Sequence, residues 1–180
     1  MNFSKIPPLA IEGKPNEPRG IHCIIETPLG SGSKFAWNKE FEVFEFSRHL
    51  RAGFKWPCDF GFVPNTLAGD GDALDVALLA DEPMFPGVLV RCRVIGAIGL
   101  TKNGQENDRI LAVPARSKKA LSRWDEIHDL DDLTARQIRE IESFLADYNT
   151  FEGHTIQLTG WQNAARAFES VKRAITSSEL

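Results

Sequence analysis

Three aspartates stand within six residues, at Asp70, Asp72 and Asp75, and an apolar run at residues 76–80 follows them at once. The run is too short for a typical helix and predicts a buried strand. Like charges at this spacing repel each other, and partial burial strengthens the repulsion, so the group needs solvent or cations around it. Carboxylate oxygens suit hard cations such as Mg²⁺, Mn²⁺ or Ca²⁺, and not zinc.

Two interpretations of this acidic segment stay open. An EF-hand is excluded, because Leu74 and Asp75 occupy the positions where that loop needs an oxygen ligand and a glycine. In an extended chain Asp70 and Asp72 point to one side, and Asp75 joins them only if the chain bends, which the glycines around Asp70 permit. The segment is therefore either a cation site or a solvated turn, since Asp-Gly is a common turn pair.

Composition indicates one domain, residues 1–180, because 180 residues suffice for a single core. A formal net charge of −4 argues against nucleic acid or an anionic membrane as the main partner. The scattered cysteines, Cys23, Cys58 and Cys92, predict buried thiols in a reducing compartment. No apolar stretch has the length of a membrane span, and the first residues lack the apolar core of a signal peptide. We therefore expect a cytoplasmic protein without a membrane partner.

Strand signals dominate the first part of the chain and helix signals the last part. We expect an irregular arm at 1–20, strands at 21–26, 76–80, 88–98, 109–113 and 155–158, a hairpin at 34–46, and a polar loop at 101–108. One helix is expected to be capped by Asp131 or Asp132, and a second by Asn163. Strands first and helices later indicate an α+β domain.

Basic side chains occur on both sides of the acidic segment in the chain. They are Lys34, Arg48, Arg51, Lys55, Lys102, Arg109, Lys118 and Lys119. Each alone is most simply a solvated surface charge. Together with the aspartates they permit a site for a divalent metal ion and a phosphate group.

With its surroundings, the acidic segment resembles the signature of the family I soluble inorganic pyrophosphatases, Asp-x-Asp-Pro/x-apolar-Asp-apolar. Residues 56–67 are similar to the family's Tyr-Pro-x-Asn-Tyr-Gly-Tyr segment, and residues 86–93 to its Pro-Gly strand ending in Arg-x-Arg. Residues 111–114 and 160–164 are similar to two further blocks. The resemblance runs in order from about residue 21 to residue 168.

The resemblance implies a five-stranded OB-like β-barrel flanked by helices. It implies hydrolysis of pyrophosphate to two phosphates with Mg²⁺ as cofactor, Mn²⁺ or another divalent ion being an alternative. It also implies a homo-oligomer, a hexamer if the source is bacterial.

Site residues follow from the resemblance position by position. Asp70 and Asp75 are implied as metal ligands, and Asp72 as a metal ligand that also takes the proton of the attacking water. Glu26 is implied as a carboxylate just outside the metal ligands. The implied phosphate-binding residues are Lys34, Arg48, Arg109 and Tyr148.

The chain departs from the family pattern at several of these positions. The substituted positions are Ala36, Trp56, Phe60, Lys102, Asn107 and Asn149. Lys102 and Asn107 stand where the family has metal-binding aspartates, and Ala36 stands where it has a glutamate. Because these ligands are absent, the sequence leaves open which metal ions the protein needs and how fast it turns over its substrate.

Three outcomes are open. In one, Glu106 or Asp108 supplies a carboxylate, Lys102 supplies part of the missing positive charge, and activity persists with an altered metal demand. In another, the pocket binds a metal and a phosphate-containing anion with weak or no turnover, as a binding module, since function resides in the site and not in the fold. In the third, the protein hydrolyses a different phosphoanhydride.

Overall fold

The computed structural model describes residues 3–10, 20–115 and 122–175. The strands are β1 (Gly20–Thr27), β2 (Ser33–Asn38), β3 (Val43–His49), β4 (Asp59–Phe62), β5 (Asp75–Leu78), β6 (Leu89–Lys102), β7 (Gln105–Glu106), β8 (Arg109–Pro114) and β9 (Ile156–Asn163). The helices are α1 (Ala135–Phe151) and α2 (Ala164–Ala174), with short 3-10 turns at Phe3–Lys5 and Leu130–Asp132.

Five strands close into a barrel in the order β1-β4-β5-β8-β6, with β6 pairing back to β1. Each neighbouring pair is antiparallel except β5 and β8, which are parallel. β7 and β9 extend β6 beyond the barrel, and β2 and β3 form a separate hairpin. The α+β class and the five-stranded OB-like barrel with helices outside it are confirmed.

Apolar side chains fill the barrel and bind the helices to it. Ile21, Val76 and Ile110 in the interior are fully buried, and each contributes roughly 1.5–3 kcal/mol by leaving water. α1 packs through Ile141 and Leu145, one helical turn apart, on a second apolar cluster. This packing holds the end of α1 beside the barrel, where it contributes to the candidate site.

At Gly61 β4 approaches β1 so closely that a Cβ there would lie 2.0 Å from the carbonyl oxygen of Ile24. A side chain is therefore not tolerated at this position. The close approach fixes the position of β4 just before the strand ends at Phe62. It therefore also fixes where the connection to β5 begins, and this connection carries the acidic segment.

Two predictions of local structure were wrong. The polar segment at 101–108 is a hairpin and not a loop, because β6 continues to Lys102 and returns as β7 through Asn103 and Gly104, whose φ angles are 52° and 82°. α1 is capped by Thr134, whose side chain accepts a hydrogen bond from the backbone N–H of Gln137. The two aspartates expected as caps lie one element earlier, in the turn Leu130–Asp132.

Other predictions have mixed outcomes. Asn163 caps α2 as predicted, accepting from the backbone N–H of Arg166. In the expected N-terminal arm, Leu9 forms an isolated bridge to Ile21, and residues 11–19 lie outside the described residues. The three cysteines are free and buried, as predicted. No helix in the described ranges has both the length and the apolar character needed to cross a membrane.

Candidate active site

A cavity of about 210 Å³ lies where β1, the β2–β3 hairpin and the β4–β5 connection meet. Its acidic lining residues in the described part of the chain are Glu26, Asp70, Asp72 and Asp75. Its basic lining residues there are Lys34, Lys39, Lys102 and Arg109. Carboxylates and cations balance in number, so the cavity suits an anion that arrives with a cation.

The acidic segment is a tight turn that brings its carboxylates together at the cavity. The backbone N–H of Ala68 donates to the Asp72 carbonyl at 2.7 Å, and that of Gly71 to the Ala68 carbonyl at 3.0 Å. Gly71 has a φ of 89°, which favours glycine. Asp70 Oδ1 accepts from the Asp72 N–H at 3.2 Å. The bend required for Asp75 to join the other two aspartates is therefore present.

Asp72 is the least constrained of the three carboxylates. Its side chain is 80% exposed, and its Oδ1 lies 3.7 Å from Lys39 Nζ. An exposed pair of this kind contributes little stability. The carboxylate is therefore available to accept a proton from a water molecule in the cavity.

Asp75 is fixed by Arg109. The guanidinium NH1 lies 2.8 Å from Asp75 Oδ2 and also donates to the Asn107 carbonyl at 2.8 Å. Burial raises the pKa of the Asp75 carboxyl, and the charge of Arg109 opposes that rise. An added cation would therefore stabilise the ionised form further.

Glu26 stands on β1 at the inner wall of the cavity. Its Oε1 accepts a hydrogen bond from the backbone N–H of Trp37 at 2.7 Å. Burial raises the pKa of Glu26 to about 7, and the negative charge of Asp75 adds to the effect. The Trp37 hydrogen bond and the charge of Lys34 oppose it. This carboxyl therefore titrates near neutral pH when no cation is bound.

The implied phosphate-binding cations form a cluster at the edge of the cavity. Lys34 pairs with Arg48 across the β2–β3 hairpin, and Arg48 donates to the hydroxyl of Tyr148 on α1. The same guanidinium lies 2.5 Å from a carboxylate oxygen of Glu152. Burial lowers the pKa of Lys34, and the charge of Arg48 lowers it further. Arg48 and Tyr148 are not lining residues; Arg48 is the hairpin partner of Lys34, which does line the cavity, and Tyr148 contacts Arg48.

Aromatic rings hold Tyr148 in place. The ring centroid of Trp56 lies 5.1 Å from that of Tyr148 and 4.5 Å from that of Phe60. Trp56 and Phe60 are buried and are not lining residues of the cavity. These two substituted positions therefore support Tyr148 and do not face the cavity. Asn149 is also buried, and its amide donates to the carbonyl of Leu145 within α1 at 2.7 Å. It therefore supplies no cation to the site.

The side-chain oxygens at the cavity are of the kind that a hard divalent cation binds, but they do not form a complete set of ligands. Asn107 donates through Nδ2 to Asp70 Oδ2. Its own Oδ1 is buried without a partner among the described residues. Carboxylate and amide oxygens are the ligands that Mg²⁺ and Mn²⁺ accept. No three acidic, histidine or cysteine side chains in the described ranges are placed to hold an ion by themselves.

The proposed compensating carboxylates do not enter the cavity. Asp108 uses both oxygens elsewhere, accepting from the Leu100 N–H at 3.0 Å and from Gln162 Nε2 at 3.1 Å. Glu106 is exposed on β7 and does not line the cavity. Lys102, by contrast, does line it.

Several site residues were missed and several candidates lie elsewhere. Lys39 and Trp37 line the cavity, and the position of Lys39 in the hairpin turn could have indicated it. Glu152, in the loop after α1, belongs to no motif.

Of the flanking cations, Arg51 packs on Phe151 with its guanidinium 4.6 Å from the ring centroid. Lys55 is not a lining residue, and Lys118 and Lys119 lie outside the described residues.

Comparison with known proteins gives one consistent result. The family model for inorganic pyrophosphatase matches residues 23–179. An inorganic pyrophosphatase of Nostoc sp. is 35% identical over 175 residues, which is 97% of this chain and 98% of the relative. The crystal structure of an inorganic pyrophosphatase from Neisseria gonorrhoeae superposes with a TM-score of 0.83 at 31% identity and covers 97% of both chains. One from Thermus thermophilus gives 0.81 at 30% identity, covering 93% of this chain and 96% of that one.

Proposed function

The chain belongs to the inorganic pyrophosphatase family and is a hydrolase of that class, and we propose that it hydrolyses pyrophosphate to two phosphates with a divalent ion bound. The observation that carries the proposal is the cavity that Asp70, Asp72 and Asp75 share with basic side chains. A small polyanion and a cation together match this lining in charge.

In this proposal each site residue has its own role. Asp72 accepts the proton of the attacking water, a role that its exposure supports. Arg109, Lys34 and Arg48 bind phosphate oxygens and offset the charge that develops on the leaving phosphate. Tyr148 orients the Arg48 guanidinium and presents its hydroxyl beside it.

The divalent ion, most simply Mg²⁺ with Mn²⁺ as an alternative, would be held by the carboxylates of Asp70 and Asp75 and by the amide oxygen of Asn107. When bound, it supplies acidification of water and neutralisation of phosphate charge. Because Ala36, Lys102 and Asn107 remove carboxylates, we expect fewer bound ions than in relatives that have acidic residues at these positions.

A second candidate function is anion binding with weak or no turnover, or hydrolysis of another phosphoanhydride. It is supported by the presence of Lys102 and Asn107 in the cavity wall, where a cation and an amide reduce the negative charge available to metals. The two functions differ in whether a phosphoanhydride bond is broken, and in which one.

Phosphate release from pyrophosphate in the presence of Mg²⁺, Mn²⁺ or Zn²⁺ tests the proposal, with nucleotides and short polyphosphates measured in parallel. Release from pyrophosphate that requires a divalent ion supports the proposed activity. Tight binding of pyrophosphate without release would favour the binding protein. Faster release from another compound would identify a changed substrate.

The remaining expectations stay predictions. We propose a single domain that acts as a homo-oligomer in the cytoplasm, with no nucleic-acid or membrane partner. Light scattering during size-exclusion chromatography measures the assembly, and a monomer would contradict that part of the proposal.

A further inference from the structure

The β2–β3 hairpin carries part of the cavity wall but lies outside the barrel. Trp37 on β2 and Lys39 in the turn that follows line the cavity. The hairpin is a two-stranded sheet of its own, and a lone hairpin of this kind is marginally stable in water. The position of these side chains therefore depends on what holds the hairpin to the rest of the protein.

Hydrogen bonds join β2 to β1 along the first part of the strand. The Thr27 hydroxyl donates to the Phe35 carbonyl and accepts from the Phe35 N–H, both at 3.0 Å. Further along, Glu26 Oε1 accepts from the Trp37 N–H at 2.7 Å. β2 ends one residue later, at Asn38. The end of the hairpin that carries Trp37 and Lys39 therefore depends on side-chain packing for further support.

Phe3, in the N-terminal 3-10 turn, supplies that packing. Its ring centroid lies 4.5 Å from that of Trp37 and 6.0 Å from that of Phe44, which is opposite Trp37 on β3. It lies 5.9 Å from the centroid of Phe62, the last residue of β4. The rings are tilted or edge-on, as aromatic pairs prefer. Phe3 therefore connects both strands of the hairpin to the barrel.

The N-terminal segment that carries Phe3 is itself held in place. The side-chain amide of Asn65 donates to the carbonyl of Ser4 at 3.0 Å and to that of Ile6 at 2.8 Å. The backbone N–H of His22 on β1 donates to the Pro8 carbonyl at 2.9 Å. The segment is therefore anchored to the barrel and can serve as a fixed support for the hairpin.

A second cavity, of about 350 Å³, adjoins the candidate active site. The two cavities share the lining residues Trp37, Lys39, Phe62 and Ala73, and Phe3 also lines the second one. Side chains in a dense interior keep one position because their neighbours leave no room. Trp37 borders free space in both cavities, so its contact with Phe3 decides where the indole rests.

We propose that Phe3 is a positioning residue for the proposed reaction: packed on Trp37, it holds the end of the β2–β3 hairpin against the barrel and so keeps the Trp37 N–H on Glu26 and Lys39 at the cavity wall. Phe3 is not a lining residue of the active-site cavity, and it acts through Trp37. The inference rests on the proposed function in taking pyrophosphate as the substrate.

Amide hydrogen exchange, followed by NMR in the full-length protein at fixed pH, tests the contact without substrate. Phe3→Ala should make the Trp37 amide exchange about tenfold faster, because the end of the hairpin opens more often. The Leu79 amide, which donates to the Ala112 carbonyl within the barrel at 2.9 Å, should exchange unchanged. Phe3→Tyr keeps the ring and should exchange as the wild type does.

Steady-state kinetics provide the functional readout. Phe3→Ala should raise KM for pyrophosphate about fivefold, the upper range for one exposed charge. It should change kcat by less than about twofold, because the lost contact acts on substrate binding. Phe168→Ala is the matched control, since Phe168 is another half-buried phenylalanine, packed on the barrel interior from α2. It should lower thermal stability and leave KM unaltered.

A double-mutant cycle tests whether Phe3 acts through Trp37. Trp37→Leu should itself raise KM, and adding Phe3→Ala to it should raise KM no further, because the contact is already lost. Independent increases that multiply in the double variant would overturn the proposed route through Trp37.

An unchanged Trp37 amide or an unchanged KM in Phe3→Ala would overturn the inference, and so would an equal rise in KM in Phe168→Ala. If pyrophosphate binds without being hydrolysed, its dissociation constant from calorimetry replaces KM. A rise of that constant in Phe3→Ala alone would then support the inference although the proposed reaction fails. If pyrophosphate is hydrolysed and Phe3→Ala has no effect, the proposed reaction stands and the inference fails. If pyrophosphate does not bind, both fail.

Discussion

The acidic turn, residues 68–75, differs in how it is held from a group of cations that we call the phosphate wall, namely Lys34, Arg48 and Lys102. Lys34 and Lys102 line the cavity together with the acidic turn, and Arg48 lies opposite Lys34 in the β2–β3 hairpin. In the acidic turn, Asp72 is 80% exposed and its ion pair with Lys39 spans 3.7 Å. In the phosphate wall, Arg48 is held by the Tyr148 hydroxyl and lies 2.5 Å from a Glu152 oxygen. Asp72 is therefore loosely placed, although Asp75 in the same turn is held by Arg109, whereas Arg48 is fixed by neighbouring side chains.

This difference indicates which charges the fold organises in advance. Cations placed by the hairpin and by α1 need no reorganisation to bind a phosphate group. Carboxylates on an exposed turn repel one another until a cation joins them. We infer that the β2–β3 hairpin and the end of α1 set the phosphate position, and that a bound cation completes the acidic half of the site.

The largest expected effect falls on the acidic turn. Asp72→Asn should lower kcat by about 10² or more, the scale on which loss of a general base acts. Stability should stay unchanged, because the side chain is exposed. Steady-state phosphate release and thermal unfolding measure the two quantities. The control is Asp131→Asn, another exposed aspartate. Activity within a few-fold of wild type would show that Asp72 is not the base.

The next effect falls on the phosphate wall. Arg48→Gln should raise KM for pyrophosphate about tenfold or more, since a charge-assisted hydrogen bond is worth roughly 1.5–3 kcal/mol. Arg51→Gln makes the same chemical change in the loop after β3 and should leave KM unaltered. Equal effects of the two substitutions would mean that overall charge matters and the position of Arg48 does not.

A smaller effect concerns Glu26, a half-buried carboxyl that lines the cavity together with Asp75 and Lys34. Its pKa is about 7 in the folded protein and about 4.3 in an unfolded chain. Between these values the folded state keeps a proton that the unfolded state releases, so metal-free stability falls as pH rises from 5 to 7. Glu26→Gln should remove on the order of 1–2 kcal/mol of that fall.

Chemical denaturation in EDTA at pH 5 and pH 8 measures the Glu26 effect. The glutamine keeps an oxygen that accepts the Trp37 N–H, so the comparison isolates the ionisation. Parallel stability profiles for the wild type and the variant would show that Glu26 ionises without cost.

The smallest expected effect tests whether Lys102 substitutes for a cation. Lys102→Asp should raise divalent-ion affinity several-fold, because a carboxylate joins Asp70 and Asp75, and more ligand charge tightens binding. It should also weaken pyrophosphate binding at low Mg²⁺. Calorimetry and KM across a Mg²⁺ series measure these effects, with Lys55→Asp as the equal charge change outside the cavity. Superimposable curves for the wild type and Lys102→Asp would exclude a role for Lys102.

Much of the fold could be predicted because it depends on local patterns and a dense set of family motifs. The apolar run after Asp75 became β5, and the motif order predicted a closed barrel. The bend at Gly71 followed from turn chemistry. The strand and the bend involve neighbours in sequence, where composition and spacing are informative, whereas the barrel was implied by the family resemblance.

The features that sequence could not supply depend on distant contacts. Glu152 and Arg48 are far apart in the chain, and only the packing of α1 brings them together. The capping choice between Thr134 and the preceding aspartates was decided by the extra turn at Leu130–Asp132. The contact between the side chains of Asn103 and His154 joins the β6–β7 hairpin to the loop after α1. Neither segment has a sequence pattern that predicts this contact.

The central claim is that a preformed phosphate position and a ligand-completed acidic turn act together. Binding of methylenediphosphonate, a pyrophosphate analogue with a P–C–P bridge that is not hydrolysed, measures this directly by calorimetry with Mg²⁺ or with EDTA. We predict measurable binding in EDTA, because the phosphate wall is already in place, and binding at least about tenfold tighter with Mg²⁺, equal to 1.4 kcal/mol of coupling. Equal affinity in the two conditions, or no binding at all without Mg²⁺, would contradict it.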